Sequence, residues 1–505
     1  DALHYLGLLA YQIGKLDQSL SLIARAIEQD PKKSPYHFNC GVVLQKQGRH
    51  VEAAAAYERA LSLTPTYVEA QANLGNVLME QGKLMEAESA YRKAIADRPD
   101  YVEAHNNLGA ALKEQGHHEE AMASYRKAIS LKPTHVEAHC NLGISLMEQG
   151  KLDEAVASYE RALELKPGYV RAHYNLAFAL IWRKRFDQAM THFRRSAELK
   201  QDHGGPVRET SVNKSRIKHD VEQVQYLLDR GMIDRNCTAY LDALQQINRQ
   251  ARHDLGAGNR IVIGKDQLAE IAPSYNRILH VADCPEVSEC ALNPALDISA
   301  IEARYNSSKP EIMYIDELLT DPALQSLRKF CLESTIWKRD YENGYLGAFL
   351  GDGFASPLLL QIAEELRLRF PGIFKEHLLT QAWAFKYDSE LTGLNIHADS
   401  AAVNVNFWIT PDDANLGKAG GGLVVWDREA PKEWNFKEYN NTRNEPRVRE
   451  FLKASHAQAV TVPYRQNRAV VFNSDLFHET DALSFRNDYE SRRVNVTLLY
   501  GRRNF

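Results

Sequence analysis

The chain has 505 residues, 44% of them hydrophobic and 25% charged, with a formal net charge of −5 at neutral pH. That length predicts about two to four domains of ordinary soluble composition. A sequence pI near 6.4 argues against a dedicated nucleic-acid binder, and no apolar run reaches the length of about 18 residues that a membrane-spanning helix needs. Six cysteines (Cys40, Cys140, Cys237, Cys284, Cys290 and Cys331) form no C-x-x-C pair, so reduced thiols and a cytoplasmic location are expected. The sequence opens at Asp1 inside a helical pattern, without Met or a signal peptide. The expectation is that a natural start, and any targeting segment, lies upstream.

The first 200 residues are periodic. Prolines at 31, 65, 99, 133 and 167 are spaced by 34, and Gly7, Gly41, Gly75, Gly109 and Gly143 keep the same period, continued by Ala177. Ala53, Ala87, Ala121, Ala155 and Ala189 recur in step with Tyr57, Tyr91, Tyr125, Tyr159 and Phe193. Small residues where two helices cross, an aromatic beside them and a closing Pro resemble the tetratricopeptide repeat. The resemblance implies an all-α solenoid over 1–200 whose first helices line a concave groove. Asn39, Asn73, Asn107, Asn141 and Asn175 fall once per repeat on those helices. This ladder resembles the peptide groove of the O-linked GlcNAc transferases, because an amide offers a donor and an acceptor to any peptide unit. A role in packing alone stays open for it. His105, His139 and His173 also recur at 34, but neighbouring repeats lie about 10 Å apart, so they read as packed or groove-lining residues rather than metal ligands.

Beyond Lys200 a polar stretch with Gly-Gly-Pro precedes two helical segments, near 216–230 and 238–251. Residues 201–258 read as a helical bridge that caps the solenoid. Residues 259–310 carry one strand-like run, RIVIG, and otherwise read as irregular. The last domain, 311–505, opens with a strand, a helix starting near Asp321-Pro322 and a helix over 356–370. Alternating strands follow at 381–387, 402–409, 422–427, 459–462, 468–473 and 493–500, interrupted by a polar insert at 428–458. That number of strands suffices for a double-stranded β-helix (jelly roll) with flanking helices.

The chemistry concentrates in FKYDSELTGLNIHADSAAVNVNFWIT, residues 385–410. His397 and Asp399 form an H-x-D pair, which a strand would present on one face. His478 lies 81 residues after His397. Two histidines and a carboxylate make the facial triad of non-haem Fe(II) oxygenases. Arg493, Asn495 and Thr497 alternate with Val494, Val496 and Leu498, and a polar face inside a barrel needs a ligand or a network to serve. Asn404, Asn406 and Trp408 share another face, with Asn406 placed to orient a ligand residue or to join a network.

Tyr387, Gly393, His397, Asp399, Gly421-Gly422, His478 and Arg493, in that order, resemble the prolyl-4-hydroxylase-like branch of the 2-oxoglutarate/Fe(II)-dependent oxygenases. The resemblance implies Fe(II) held by His397, Asp399 and His478. It also implies 2-oxoglutarate paired with Arg493, with Tyr387 and Asn495 beside it, and Arg492 as the partner if the register is off by one. An intact Asp399 favours hydroxylation over halogenation. The expected function is a dioxygenase acting on a protein or peptide in the repeat groove, with neither nucleic acid nor membrane as partner. Two alternatives stand beside it. One is a protein-binding scaffold with an inactive oxygenase domain. The other is a small-molecule or nucleic-acid oxygenase whose repeats mediate assembly, as in a homo-oligomer. The R-x-N-x-T face, similar to that of AlkB-type demethylases, keeps that last alternative open.

Overall fold

The computed structural model describes residues 1–202, 211–253, 258–374, 377–388, 395–417, 420–431, 434, 439–440 and 444–501, without the side chains of 201–202. The chain divides into two compact units, Asp1–Ala179 and Leu180–Phe505. The division falls inside the sixth helix pair rather than at residue 200.

The first unit is built of paired helices: α1 (Ala2–Gln12), α2 (Leu16–Gln29), α3 (Ser34–Lys46), α4 (His50–Leu63), α5 (Val68–Glu80), α6 (Leu84–Asp97), α7 (Val102–Glu114), α8 (His118–Leu131), α9 (Val136–Glu148), α10 (Leu152–Leu165) and most of α11 (Val170–Trp182). The 34-residue period has a steric cause. At Gly41, Gly75, Gly109 and Gly143 an added Cβ would come within 2.6 Å of a ring carbon of Tyr57, Tyr91, Tyr125 and Tyr159 respectively. Only glycine lets the second helix lay its tyrosine against the first. A glycine at positive φ turns the chain between the paired helices, at Gly48, Gly82, Gly116 and Gly150. The recurrent histidines are structural here: Nε2 of His37, His105, His139 and His173 each lies 2.9 Å from the carbonyl oxygen of the Pro six residues earlier.

The second unit begins with the end of α11 and α12 (Phe186–Asp202). The Gly-Gly-Pro stretch lies outside the described residues. A two-stranded ribbon, β1 (Ser211–Asn213) with β2 (Arg260–Val262), brackets the helices α13 (Lys214–Asp229) and α14 (Cys237–His253). Residues 259–310 are more ordered than their sequence suggests, with α15 (Lys265–Ile271) and α16 (Ile298–Ser307). Both helices are short, which left little periodicity to read.

Among the described residues, the β-rich part carries, after the ribbon, β3 (Ile312–Ile315), β4 (Arg339–Asp340), β5 (Tyr345–Phe349), β6 (Leu379–Tyr387), β7 (Val403–Trp408), β8 (Leu423–Glu429), β9 (Ala459–Val462), β10 (Ala469–Asn473), β11 (Leu476–Thr480) and β12 (Val494–Tyr500). They form an antiparallel seven-stranded sheet in the order β3-β10-β7-β12-β6-β5-β4 and a three-stranded sheet β11-β8-β9. The helices α17 (Asp321–Glu333) and α18 (Pro357–Arg369) flank them. One buried cluster takes Trp408, Val470 and Phe472 from the larger sheet and Leu423, Val425, Val462 and Leu476 from the smaller, so the two sheets share a core. Among the described residues, no helix is long and apolar enough to cross a membrane. None of the six cysteines forms a disulfide.

Candidate metal centre

The H-x-D pair is not carried on a regular strand, as its spacing suggested. His397 makes an isolated antiparallel bridge to His478, with backbone hydrogen bonds of 3.0 and 2.8 Å in the two directions, and Asp399 N donates to Ser474 O at 3.1 Å. The Asn473-Ser474-Asp475 turn between β10 and β11 interrupts the pairing here, so three separate hydrogen bonds set the ligands rather than a ladder. Gly393 lies outside the described residues.

Nδ1 of His397 lies 2.8 Å from Asn395 O, and Nδ1 of His478 lies 3.0 Å from Leu476 O. A carbonyl only accepts, so each Nδ1 carries the hydrogen and each Nε2 presents a lone pair. Those Nε2 atoms turn toward Asp399, at 4.0 Å from Oδ1 for His397 and 3.4 Å from Oδ2 for His478. One ligand atom from each of the three residues lies within 4.8 Å of the others. Burial and the neighbouring His478 push the His397 imidazole down to about 4, so it is neutral, as ligation requires. Burial alone would raise the Asp399 carboxyl, but its polar neighbours, the Asn404 amide donor among them, hold the group below its ordinary value. Two imidazole lone pairs and a carboxylate facing one another repel unless a cation sits among them. The donor set therefore fits a divalent metal ion.

Beside this cluster the wall is made by β6 and β12. Trp383, Phe385 and Tyr387 share one face of β6 and line the same cleft as His397, Asp399 and His478, together with Arg493, Asn495 and Thr497. Arg493 is 2% exposed. Its Nε donates to Gly421 O at 2.7 Å and its Nη2 to Gly422 O at 3.2 Å, while Nη1 has no hydrogen-bond partner. Its guanidinium also stands over the Tyr387 ring, 4.6 Å from the centroid. Among the described residues no carboxylate pairs with it. A buried cation met by carbonyls and aromatic faces, with no carboxylate beside it among the described residues, fits an anionic ligand such as a carboxylate. Gly422 is required there, since a Cβ would meet Val462 O at 1.9 Å. Arg492 turns away from the cleft, with Nε donating to Glu222 Oε2 at 2.7 Å.

The role foreseen for Asn406 shifts by two residues, to the next position on the same strand face. Asn404 Nδ2 donates directly to Asp399 Oδ2 at 2.7 Å, and Asn406 reaches the carboxylate only through Asn404. Trp383 and Thr480 also line the cleft, and neither stood out in the sequence. Trp383 falls on the face of β6 that the alternation to Tyr387 marks, which is the signal that could have found it.

The asparagine ladder of the first unit is half-buried, and its amides partly serve the repeats themselves. Asn107 Nδ2 donates to Asn76 Oδ1 at 2.9 Å and Asn141 Nδ2 to Asn106 Oδ1 at 3.0 Å. Asn39 Nδ2 lies 2.8 Å from His4 Nε2, and Asn175 Nδ2 lies 3.8 Å from Cys140 Sγ.

The comparisons bear on the repeats. The family described as TPR repeat matches residues 46–82, 75–116 and 111–150, and that described as tetratricopeptide repeat matches 146–207. The N-terminal part of the chain is thus a tetratricopeptide-repeat solenoid, followed by the β-rich unit. Among solved structures, MamA is 26% identical over 32% of this chain and 95% of its own, with a TM-score of 0.30. MamA 41-end from Desulfovibrio magneticus RS-1 is 20% identical over 34% and 98%, with a TM-score of 0.32. YrrB, described as a TPR protein with an unusual peptide-binding site, is 24% identical over 36% and 93%, with a TM-score of 0.30. No curated protein matches the chain.

Proposed function

We propose that the chain is a 2-oxoglutarate- and Fe(II)-dependent dioxygenase that hydroxylates a protein or peptide recruited by its repeats. The observation that carries this reading is the convergence of two imidazole lone pairs and a carboxylate beside a buried arginine that lacks an anionic partner. His397, Asp399 and His478 would hold the iron, and Arg493 with Tyr387 would hold 2-oxoglutarate. When bound, the metal and cosubstrate would supply the oxidising chemistry with O2 as the oxidant: one oxygen atom would enter the succinate formed as 2-oxoglutarate loses CO2, and the other would convert a C–H bond of the substrate to C–OH. The chain's own residues do the rest. The Asn395 and Leu476 carbonyls fix both imidazole tautomers, Asn404 orients Asp399, and Trp383 and Phe385 form an apolar wall that limits water. Two antiparallel sheets sharing one core support a jelly-roll scaffold for this site. The repeats would act as the protein-binding part.

A second reading, a protein-binding scaffold without catalysis, is favoured by the family matches, which cover only the repeats. One experiment separates the two. The full chain is incubated with Fe(II), 2-oxoglutarate and ascorbate, succinate is quantified, and co-purified proteins are searched by mass spectrometry for added oxygen. Succinate above the level of a His397→Ala/Asp399→Ala variant supports the oxygenase. Equal succinate from both, together with retained protein partners, supports the scaffold.

A further inference from the structure

Four buried polar side chains join Asp399 to the far wall of the cleft in a single file. Asn495 Nδ2 donates to Thr497 Oγ1 at 3.2 Å, and Thr497 Oγ1 donates to Asn406 Oδ1 at 3.1 Å. Asn406 Nδ2 donates to Asn404 Oδ1 at 3.0 Å, and Asn404 Nδ2 to Asp399 Oδ2 at 2.7 Å. The strands explain the contacts: β7 and β12 are adjacent, with Asn406 directly opposite Thr497. All four residues are at most 5% exposed, so no bond is shared with bulk solvent.

The file has one direction only. An ionised carboxylate accepts and never donates, so Asn404 must turn its NH2 toward Asp399. Its oxygen is then left to accept from Asn406, whose oxygen in turn accepts the Thr497 hydroxyl hydrogen. Thr497 then accepts from the Asn495 NH2. The last group in line is Asn495 Oδ1, a buried acceptor with no partner. That oxygen takes a hydrogen-bond donor, and the second N–H of the same amide stays available to an acceptor.

We propose that Asn495, Thr497, Asn406 and Asn404 are positioning residues for Asp399. This rests on the metal reading above. The ladder of bonds holds the carboxylate in one rotamer against the two imidazoles. Its free end offers an acceptor to an N–H or O–H of the substrate or to a water.

The test uses Mn(II) titration of the full chain followed by electron paramagnetic resonance. Asn404→Leu should weaken Mn(II) by about 10–100-fold, the usual effect of losing a partner of a metal ligand. Thr497→Val, nearly isosteric, should weaken it by about fivefold, the scale of one hydrogen bond, and Thr497→Ser should restore it. Thermal melts show which variants remain folded. If Thr497→Val and Thr497→Ser both bind Mn(II) like the parent, the relay is refuted. A parent chain that binds Mn(II) no better than its His397→Ala variant overturns the metal reading, and the relay with it.

Discussion

Arg492 and Arg493 are neighbours in sequence and serve opposite sides of the same strand entry. Arg492 reaches Glu222 at 2.7 Å and lies 3.7 Å from Asp388, whereas Arg493 enters the cleft and donates to the Gly421 and Gly422 carbonyls. The two substitutions should therefore separate function from stability. Arg493→Ala is expected to raise the 2-oxoglutarate requirement by about 100-fold or more, with Mn(II) binding little changed. Arg492→Ala should instead destabilise the second unit by about 3 kcal/mol, the lower end for a broken buried pair because Glu222 is partly exposed. Calorimetric titration and urea denaturation read the two effects. The opposite pattern would mean that Arg492 holds the cosubstrate.

The glycine–tyrosine contact sets a packing limit in the repeats. Gly109→Ala would place a methyl 2.6 Å from Tyr125 Cε1. Alanine gains up to about 1 kcal/mol in a helix, but forcing the ring aside costs about 1–3 kcal/mol, so a net loss is expected. Hydrogen exchange should quicken in α7 and α8 and stay at parental rates in the second unit. Unchanged protection in both helices would show that the ring yields freely.

Lys386 makes stability depend on pH. It is fully buried on the face of β6 opposite Tyr387, donating to Cys331 O at 2.9 Å and Tyr489 Oη at 3.0 Å, with its ammonium over the Trp337 and Tyr489 rings. Burial pushes it well below the ordinary lysine value, with Arg492 adding in the same sense. The unfolded chain then binds a proton that the folded chain does not, in the window below the ordinary pKa of about 10.4, so stability rises with pH there. Lys386→Met should flatten that rise. Urea midpoints of parent and variant, compared from neutral to alkaline pH, should converge as pH climbs. Parallel curves would count against the assignment.

The asparagine ladder can be tested apart from the metal centre. Replacing Asn107, Asn141 and Asn175 together by Ala removes inter-repeat hydrogen bonds and the candidate peptide contacts at once. Turnover of a long peptide should weaken, while Mn(II) binding and substrate-free 2-oxoglutarate decay stay near parental values. Steady-state kinetics on long and truncated peptides, beside light scattering, checks this. Equal kinetics at every peptide length would end the groove proposal, and an altered oligomer size would point to assembly.

The legible parts of the fold were those with strong periodicity. Strands expected at 381–387, 402–409, 459–462, 468–473 and 493–500 lie within about two residues of β6, β7, β9, β10 and β12, because alternation, as in VNVNFW of β7, or a short continuous apolar run, as in AVVF of β10, marks them. β5 escaped notice because Gly347 breaks its run, and β11 because its five residues are separated from β10 by a two-residue turn. The site was legible in its ligand types but not in its backbone. The geometry of His397 and Asp399 comes from hydrogen bonds to residues about 80 positions away, and no local pattern encodes such pairing. The part of Asn404 was hidden for a related reason: alternation shows which face a residue takes, not which neighbour it touches.

The helix α12 continues the repeat pattern in sequence yet folds with the second unit. Lys200 Nζ donates to Asp352 Oδ1 at 2.6 Å, and just before the helix Trp182 Nε1 donates to Leu379 O at 2.8 Å. Dissection of the protein is constrained by this. A fragment that starts after residue 200, where the repeat period ends, would leave the β6 end and the Leu350–Asp352 turn without their cover. A fragment of the second unit intended to fold alone has to begin near residue 180 and carry a piece of the solenoid with it.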